Sequence, residues 1–536
     1  MTTKGKTLTP VRAGLGNGEN KPATECRIKG NIPFWLNGEV LRNGPGEYDI
    51  GPDTFKHWFD GQALIHKFTI SEGKVSYMAK FIESESYRIN HKHNRILVGS
   101  FGTGSMPDPC KNIFSRFFSQ FTSFPRMDNC SVNLANLGNV YYALTDAAIA
   151  HRIDGETLEQ KNFVFFRDFL NVSMSTAHPH YDTNGDYYNV GQSFGKNFQY
   201  SVVRVPAESM SKEDPMQDLE IHTGVPMDDK FNPSYFHSFG LSEKHFILHD
   251  QPVRVSATKM LKWRFTWNAF MDNMYMDKTK ESIFHVINKQ TKKAIPVKYA
   301  AKGTFCFHHV NAYEETLEGK TFLIVDMCCA DGETFRWFGL DIMRGKDEAL
   351  QKFKTVPFSG PQRYVLPLDV DESIPKGENL VTLPGCQARA EKREDGSIFL
   401  TPELLYDEEI RKKNNLLMLE LPRINYDENN GKKYRYIYCV GSNEALPNQL
   451  YKIDTETKQM LWWEEKGFFT SEPIFVKNPQ GSNEDDGVVL STVISSNVDD
   501  PVFMVVLDAK TFTEIGRAEV DARVPYPLHG VFTSSL

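Results

Sequence analysis

Four histidines stand in settings where a buried imidazole is kept only if both ring nitrogens find partners. His308 lies in the apolar, strand-like run Phe305-Cys306-Phe307-His308-His309-Val310-Asn311-Ala312-Tyr313-Glu314-Glu315. His178 sits in Ser175-Thr176-Ala177-His178-Pro179-His180, His237 in Ser234-Tyr235-Phe236-His237-Ser238-Phe239, and His529 in Pro527-Leu528-His529-Gly530. We read these four as the ligands of one metal ion. Neutral imidazoles suit zinc, copper, nickel or iron. A structural zinc site more often recruits cysteine and closes its tetrahedron. Four imidazoles with no directly bound carboxylate leave the ion its full charge, which is compatible with Fe(II) in an octahedron that keeps two positions free. Metal-bound histidines pass their second N–H to a carboxylate or carbonyl. Asp146, Glu420 and Glu472 are candidates, each in an apolar or proline-flanked setting where an unpaired charge would be expensive.

Spacings of 59, 71 and 221 residues between these histidines form no local motif, so the fold must bring them together. In a β-propeller the inner strand ends of different blades meet on the central axis, and ligands far apart in sequence converge there. Composition agrees with that class. The 536 residues include 37 glycines, 28 prolines and 12% aromatic residues, which suits many short strands joined by turns. Length alone would allow three or four average domains, but all-β propellers and barrels run long as single domains.

A short motif recurs at Ile153-Asp154-Gly155-Glu156-Thr157, Ile287-Asn288-Lys289-Gln290-Thr291, Ile453-Asp454-Thr455-Glu456-Thr457 and Leu507-Asp508-Ala509-Lys510-Thr511. Each is a strand end followed by Asp/Asn-x-x-Thr, whose short side chains bond nearby backbone and turn the chain back. The last two copies are 54 residues apart, close to one four-stranded blade; the gaps of 134 and 166 would each hold about three. Pattern alone points to six to eight blades, with generic hairpin chemistry as the other reading. Residues 1–22 read as a loosely ordered arm and 23–536 as one domain. Arg42-Asn43-Gly44-Pro45-Gly46 reads as a turn cluster, and Asp60-Gly61 as a turn before a strand. Helical signals are local: 350–355, 402–413, and an apolar stripe at Cys110, Ile113, Phe114, Phe117, Phe118 and Phe121. That last stripe, with the aromatic stretch Trp263, Phe265, Trp267, Phe270 and Met271, reads either as core or as an interfacial membrane patch.

The net charge of −8 and the lack of a basic cluster with interleaved aromatics argue against a nucleic-acid partner. Eight cysteines form no Cys-x-x-Cys pair and no regular framework, which suggests reduced thiols in the cytoplasm. The polar stretch from Met1 to Glu19 has no signal-peptide core, and no apolar span approaches about 20 residues. The expectation is a cytoplasmic protein, peripheral on intracellular membranes if the aromatic patch is used.

These segments resemble the carotenoid cleavage oxygenase family, also called the carotenoid oxygenase and retinal pigment epithelium isomerohydrolase family, and its animal branch most of all. The resemblance runs from Arg42-Asn43-Gly44-Pro45-Gly46 and Phe59-Asp60-Gly61 through Pro107-Asp108-Pro109-Cys110-Lys111-Asn112, Ala177-His178-Pro179-His180, Phe236-His237-Ser238-Phe239-Gly240 and the His308 run to Ser471-Glu472-Pro473 and His529-Gly530. It implies an all-β, seven-bladed propeller with helical and loop insertions capping one face, and Fe(2+) held by His178, His237, His308 and His529. His180 and His309 would lie beside the iron without binding it. Glu420 and Glu472 match two of three glutamates that the family places behind the ligands. At the third position the family pattern Thr-Glu-Thr-Asn is replaced by Thr145-Asp146-Ala147-Ala148, and the shorter acid is expected to lengthen its bond to a ligand histidine or to bridge it by water. Leu528 replaces an aromatic residue frequent in relatives.

The resemblance also implies the reaction. With O2 as co-substrate, a conjugated double bond of a carotenoid is cleaved to two carbonyl products, an apocarotenoid or retinal. Phe59, Phe101 and Phe307 match family positions around the substrate cavity, and Tyr235 lies beside a ligand. Two other functions stay open: a retinyl ester isomerohydrolase of the same fold, and a non-catalytic carotenoid or lipid carrier.

Overall fold

Runs rich in β-branched and aromatic residues lie between turn signals along most of the chain and form strands, several of them, such as Val502–Asp508, buried on both faces. The computed structural model describes residues 15–105, 127–194, 198–260, 268–344, 355–495, 497 and 499–534. Among these, the strands gather into six larger sheets and two two-stranded ribbons, nearly all antiparallel. The eight-stranded sheet is two meanders, Phe305–Pro367 and Met418–Glu464, joined through a single parallel pair, Ser359 with Met418. Neighbouring sheets share apolar layers. Val489, Val493, Phe503 and Leu507 pack with Leu421, Tyr438, Val440 and Leu450 of the preceding meander, each side chain contributing about 1.5–3 kcal/mol on full burial.

The four Asp/Asn-x-x-Thr copies are one structural device. In each, the first carboxylate or amide oxygen accepts the backbone N–H groups two and three residues on. In each, the residue four positions on adopts positive φ: Leu158 (57°), Lys292 (59°), Lys458 (61°) and Phe512 (58°). The wide gaps between copies each cross one intervening meander, not two. Their extra residues lie in long connections, such as those between Val253–Val255 and Ser282–Asn288 and between Ser359–Pro367 and Arg389–Lys392.

The two ends of the chain meet in one sheet. Gly38–Glu47 pairs on one side with Gln62–Ser71 and on the other with the terminal strand His529–Ser534, Asn43 opposite His529. The stretch from Arg42 to Gly46 is therefore strand, not the expected turn. Its glycines serve close approach instead: a Cβ on Gly44 would lie 2.7 Å from Pro527 Cα and 2.9 Å from Leu528 N. Pro45 sits at a register shift, where a missing N–H is tolerated. The expected arm is also anchored from its second half. Leu15 is buried, Asn17 bonds the backbone of Tyr48 and Asp49, and Lys21–Glu25 pairs with Lys74–Phe81.

Helices are few. The helix Glu85–His93, capped by Ser84 and Asn94, adds to the expected ones, whereas 402–413 splits into the strand Glu403–Leu404 and the Asp407-capped helix Glu408–Lys413. The stripe from Cys110 to Phe121, with Ile113, Phe114, Phe117 and Phe118, lies outside the described residues, as do Trp263, Phe265, Trp267 and residues 350–354. No helix among the described residues is long and apolar enough to cross a membrane.

Because Gly44 faces backbone that cannot swing away, Gly44→Ala is expected to destabilise the fold by about 1–3 kcal/mol and to displace His529. Urea denaturation and metal content, measured together, check both effects.

Candidate metal centre

Each candidate ligand is delivered by a break in regular structure. His178 lies between the short strands Met174–Ser175 and His180–Tyr181, His237 just before Gly240–Leu241, and His529 opens the terminal strand. His308 lies in Phe305–Leu317, whose pairing with Lys320–Ala330 shifts register between Cys306 and His309 and again between His309 and Asn311. These bulges free His308 from the ladder. A ring of side-chain amides clips the segments together: Asn133 Nδ2 donates to Ala177 O at 2.8 Å and Gln192 Nε2 to Ser234 O at 2.6 Å.

The structure brings His178, His237, His308 and His529 to one point, with one ligand atom from each within 4.8 Å of all the others. His178 Nε2 and His237 Nε2 are 3.0 Å apart, the separation of two adjacent ligands on an ion about 2.1 Å from each. Behind the ligands, His237 Nδ1 meets Asp146 Oδ2 at 2.6 Å, His308 Nδ1 meets Glu420 Oε2 at 2.8 Å, and His529 Nδ1 meets Glu472 Oε1 at 2.7 Å. A carboxylate only accepts, so each of these Nδ1 atoms carries the proton and each Nε2 presents a lone pair. Three lone pairs thus converge in a buried place, and His308 Nε2 has no partner among the described residues. The donor set fits a divalent cation, and the carboxylates fit the pattern that orients metal-bound histidines.

Burial disfavours the charged form of His178, His308 and His529. Burial, reinforced by the neighbouring imidazoles, holds His178 well below the usual imidazole range; burial lowers His308 and brings His529 down to about 4. Burial pushes the Glu472 carboxyl up, but Arg423, which donates to Oε2 at 2.9 Å, and His529 outweigh it and leave the group well below the carboxylate range. Glu420 also accepts from Ser359 Oγ at 2.6 Å. Asp146 accepts from Tyr235 Oη at 2.5 Å and from Ala177 N at 3.1 Å. The direct 2.6 Å bond from His237 corrects the expectation that the shorter acid would lengthen it or admit water. His180 is occupied elsewhere, by Tyr426 Oη and Phe239 O, and His309 by Ser238.

A cavity of about 920 Å³ opens against His237, His308 and His529. Phe59, Phe101, Tyr235 and Phe307 all line it, and the Phe307 ring centroid is 4.9 Å from that of His237. Sequence reasoning missed Phe338, whose ring is 5.5 Å from Phe59, and Val255 and Met260; a single apolar residue carries no signal of which cavity it will line. Ala147, Ala148 and Leu528 complete the wall beside the ligands.

Metal-dependent chemistry on an apolar substrate is what such a centre beside such a cavity suits. The chain matches the family model described as retinal pigment epithelial membrane protein over residues 16–534, and it belongs to that family, the carotenoid oxygenases its motifs resemble. It is 38% identical to the carotenoid-cleaving dioxygenase, mitochondrial, of Mustela putorius furo, with 96% of this chain and 95% of that protein covered. To the protein of the same name from Homo sapiens it is 39% identical, with 95% and 88% covered. Among solved structures, the cobalt-substituted Synechocystis apocarotenoid oxygenase superposes with a TM-score of 0.75 at 19% identity, 98% of each chain covered, and shares the fold.

Two outcomes follow. Replacing Asp146 by Asn removes the charge that orients His237 and is expected to weaken metal binding 10–100-fold, read by anaerobic metal titration. Burial also lowers His57, His180 and His249 to about 4, like His529. A folded pKa below the free value of about 6.5 means that the unfolded chain binds more protons between these limits. Stability of the metal-free protein is therefore full above about pH 6.5 and falls as pH drops towards 4, which urea midpoints at pH 7.5 and pH 5 will show.

Proposed function

We propose that this protein is a non-haem Fe(II) oxygenase that cleaves a conjugated double bond of a carotenoid with O2, giving two carbonyl products. The observation that carries the proposal is the set of four imidazoles, three backed by carboxylates, pointing at the wall of an aromatic cavity. The relatives named carotenoid-cleaving dioxygenase support it. His178, His237, His308 and His529 would hold a ferrous ion, which when bound would supply the binding and activation of O2. Uncharged ligands preserve the ion's positive charge, and Asp146, Glu420 and Glu472 fix the direction of each ring behind it. The cavity keeps water away and lays a rigid polyene along Phe59, Phe101 and Phe307, so that one double bond lies beside the metal. Their faces favour positive charge developing on the polyene. Tyr235 keeps Asp146 in place from the cavity side.

The scaffold proposed for this reaction is a seven-bladed propeller formed by residues 23–536 as one domain. Counting the eight-stranded sheet as two meanders, the larger sheets number seven, and both chain ends meet in one of them. Contact with intracellular membranes, through Cys110 to Phe121, belongs to the same proposal, because the substrate dissolves in lipid. Phe231, 70% exposed beside Lys230 and lining the cavity, supports it. The compartment proposed is cytoplasmic; the relatives' names include mitochondrial, and fractionation decides between the two.

Protein loaded with Fe(II) and incubated in detergent with β-carotene or a xanthophyll is expected to give apocarotenoid or retinal products under air and none under argon, with His308→Ala inactive. Bound iron without oxygen-dependent cleavage, or retinyl ester turnover under argon, would replace this reading with the isomerohydrolase or the carrier.

A further inference from the structure

We propose that Ser238 is a positioning residue of the metal centre: one hydroxyl holds the His237 and His308 segments together and dictates which nitrogen of His309 carries its proton. The inference rests on the four histidines being metal ligands and does not depend on the substrate.

Between Cys306, which faces Cys329, and His309, which faces Met327, the register shifts across Phe307 and His308. Buried backbone groups at such a break need partners from outside the ladder. Ser238, adjacent to the ligand His237 and only 7% exposed, serves two of them. Its Oγ donates to Phe307 O at 2.6 Å and accepts from His309 N at 3.0 Å. Its third contact is His309 Nδ1 at 2.8 Å.

A hydroxyl has one proton and two lone pairs. The proton goes to Phe307 O and one lone pair to His309 N–H, so His309 must donate from Nδ1 into the second. The hydroxyl is then saturated. His309 is fixed as the Nδ1–H tautomer, its ring held towards Ser238 and away from the ion one residue off. On the other side of the ligands Gln251 repeats the connection, donating from Nε2 to Tyr235 O at 2.7 Å and accepting from Cys306 N at 2.8 Å on Oε1. His237 and His308 are thus bracketed by two side-chain clips. Only the Ser238 clip touches both residues flanking His308.

The test is anaerobic titration of the metal-free full-length protein with Co(II), followed by visible absorption, together with the rate at which a chelator removes Fe(II) from the loaded protein. Ser238→Ala is expected to weaken Co(II) binding by about 10–100-fold, to change the Co(II) band positions and to hasten Fe(II) loss. Ser238→Cys, of similar volume with a weak donor, is expected to fall between Ala and wild type. A role confined to general stability would lower the melting temperature of the metal-free protein and leave the bands and the affinity unchanged, and that result overturns the proposal. If Ser238→Ala does not fold, the Cys variant decides: intermediate affinity supports the proposal and wild-type affinity overturns it. A wild-type chain that takes up no Co(II) overturns the metal centre itself, and this inference with it.

Discussion

The metal centre is built on a repulsive arrangement. Three imidazoles, with protons committed to carboxylates on one side, aim lone pairs into the same buried place on the other. A cation there turns the repulsion into coordination. The charges behind the ligands are set out to suit it: Asp146, Glu420 and Glu472 supply three negative charges, and Arg423 returns one positive charge against Glu472. Arg42 adds a second, wholly buried, donating to Glu472 O at 2.6 Å. Without the ion this is an expensive interior, because each buried charge is balanced only in combination with the others.

A β scaffold can hold such a set because its irregularities fall where the ligands are. Regular ladders would consume the backbone groups around His308 and turn alternate side chains to opposite faces; the two register shifts spare His308 and leave single polar side chains to repair the ladder. Closure is the second requirement. His529 opens the strand His529–Ser534, which pairs with Gly38–Glu47, so the centre is complete only after these distant segments have met. Glycine at position 44 permits that contact, which links a backbone feature near the start of the chain to a ligand near its end.

How much of this is legible in the sequence differs by kind. The histidines could be picked out because an imidazole in an apolar or proline-fixed run needs a reason, and Glu420 and Glu472 for the same reason. The Asp/Asn-x-x-Thr turn was readable because its chemistry is local: four residues carry all its bonds. Its spacing was misleading, since connections such as the one between Val255 and Ser282 add length without adding a meander. The stretch from Arg42 to Gly46 was misread because glycine has two uses, and only the tertiary contact with Pro527 tells close approach from a turn. Phe338, Gln251 and the double duty of Ser238 depend on which segments become neighbours, and no local pattern records that.

Asp146 shows how such neighbours decide chemistry. An aspartate where the resemblance has a glutamate is one methylene shorter, yet its carboxylate meets His237 Nδ1 directly at 2.6 Å. The carboxylate is held in place by three donors, from His237, Tyr235 and Ala177. The Ala177 bond carries a further consequence. His178 has no carboxylate of its own among the described hydrogen bonds, yet the backbone just before it is tied to the acid that orients His237. One carboxylate therefore sets two ligands. The side chains after it, Ala147 and Ala148, are small enough for the turn to sit against the cavity, so the identity of the acid and the shape of the cavity wall beside the metal are a single structural choice.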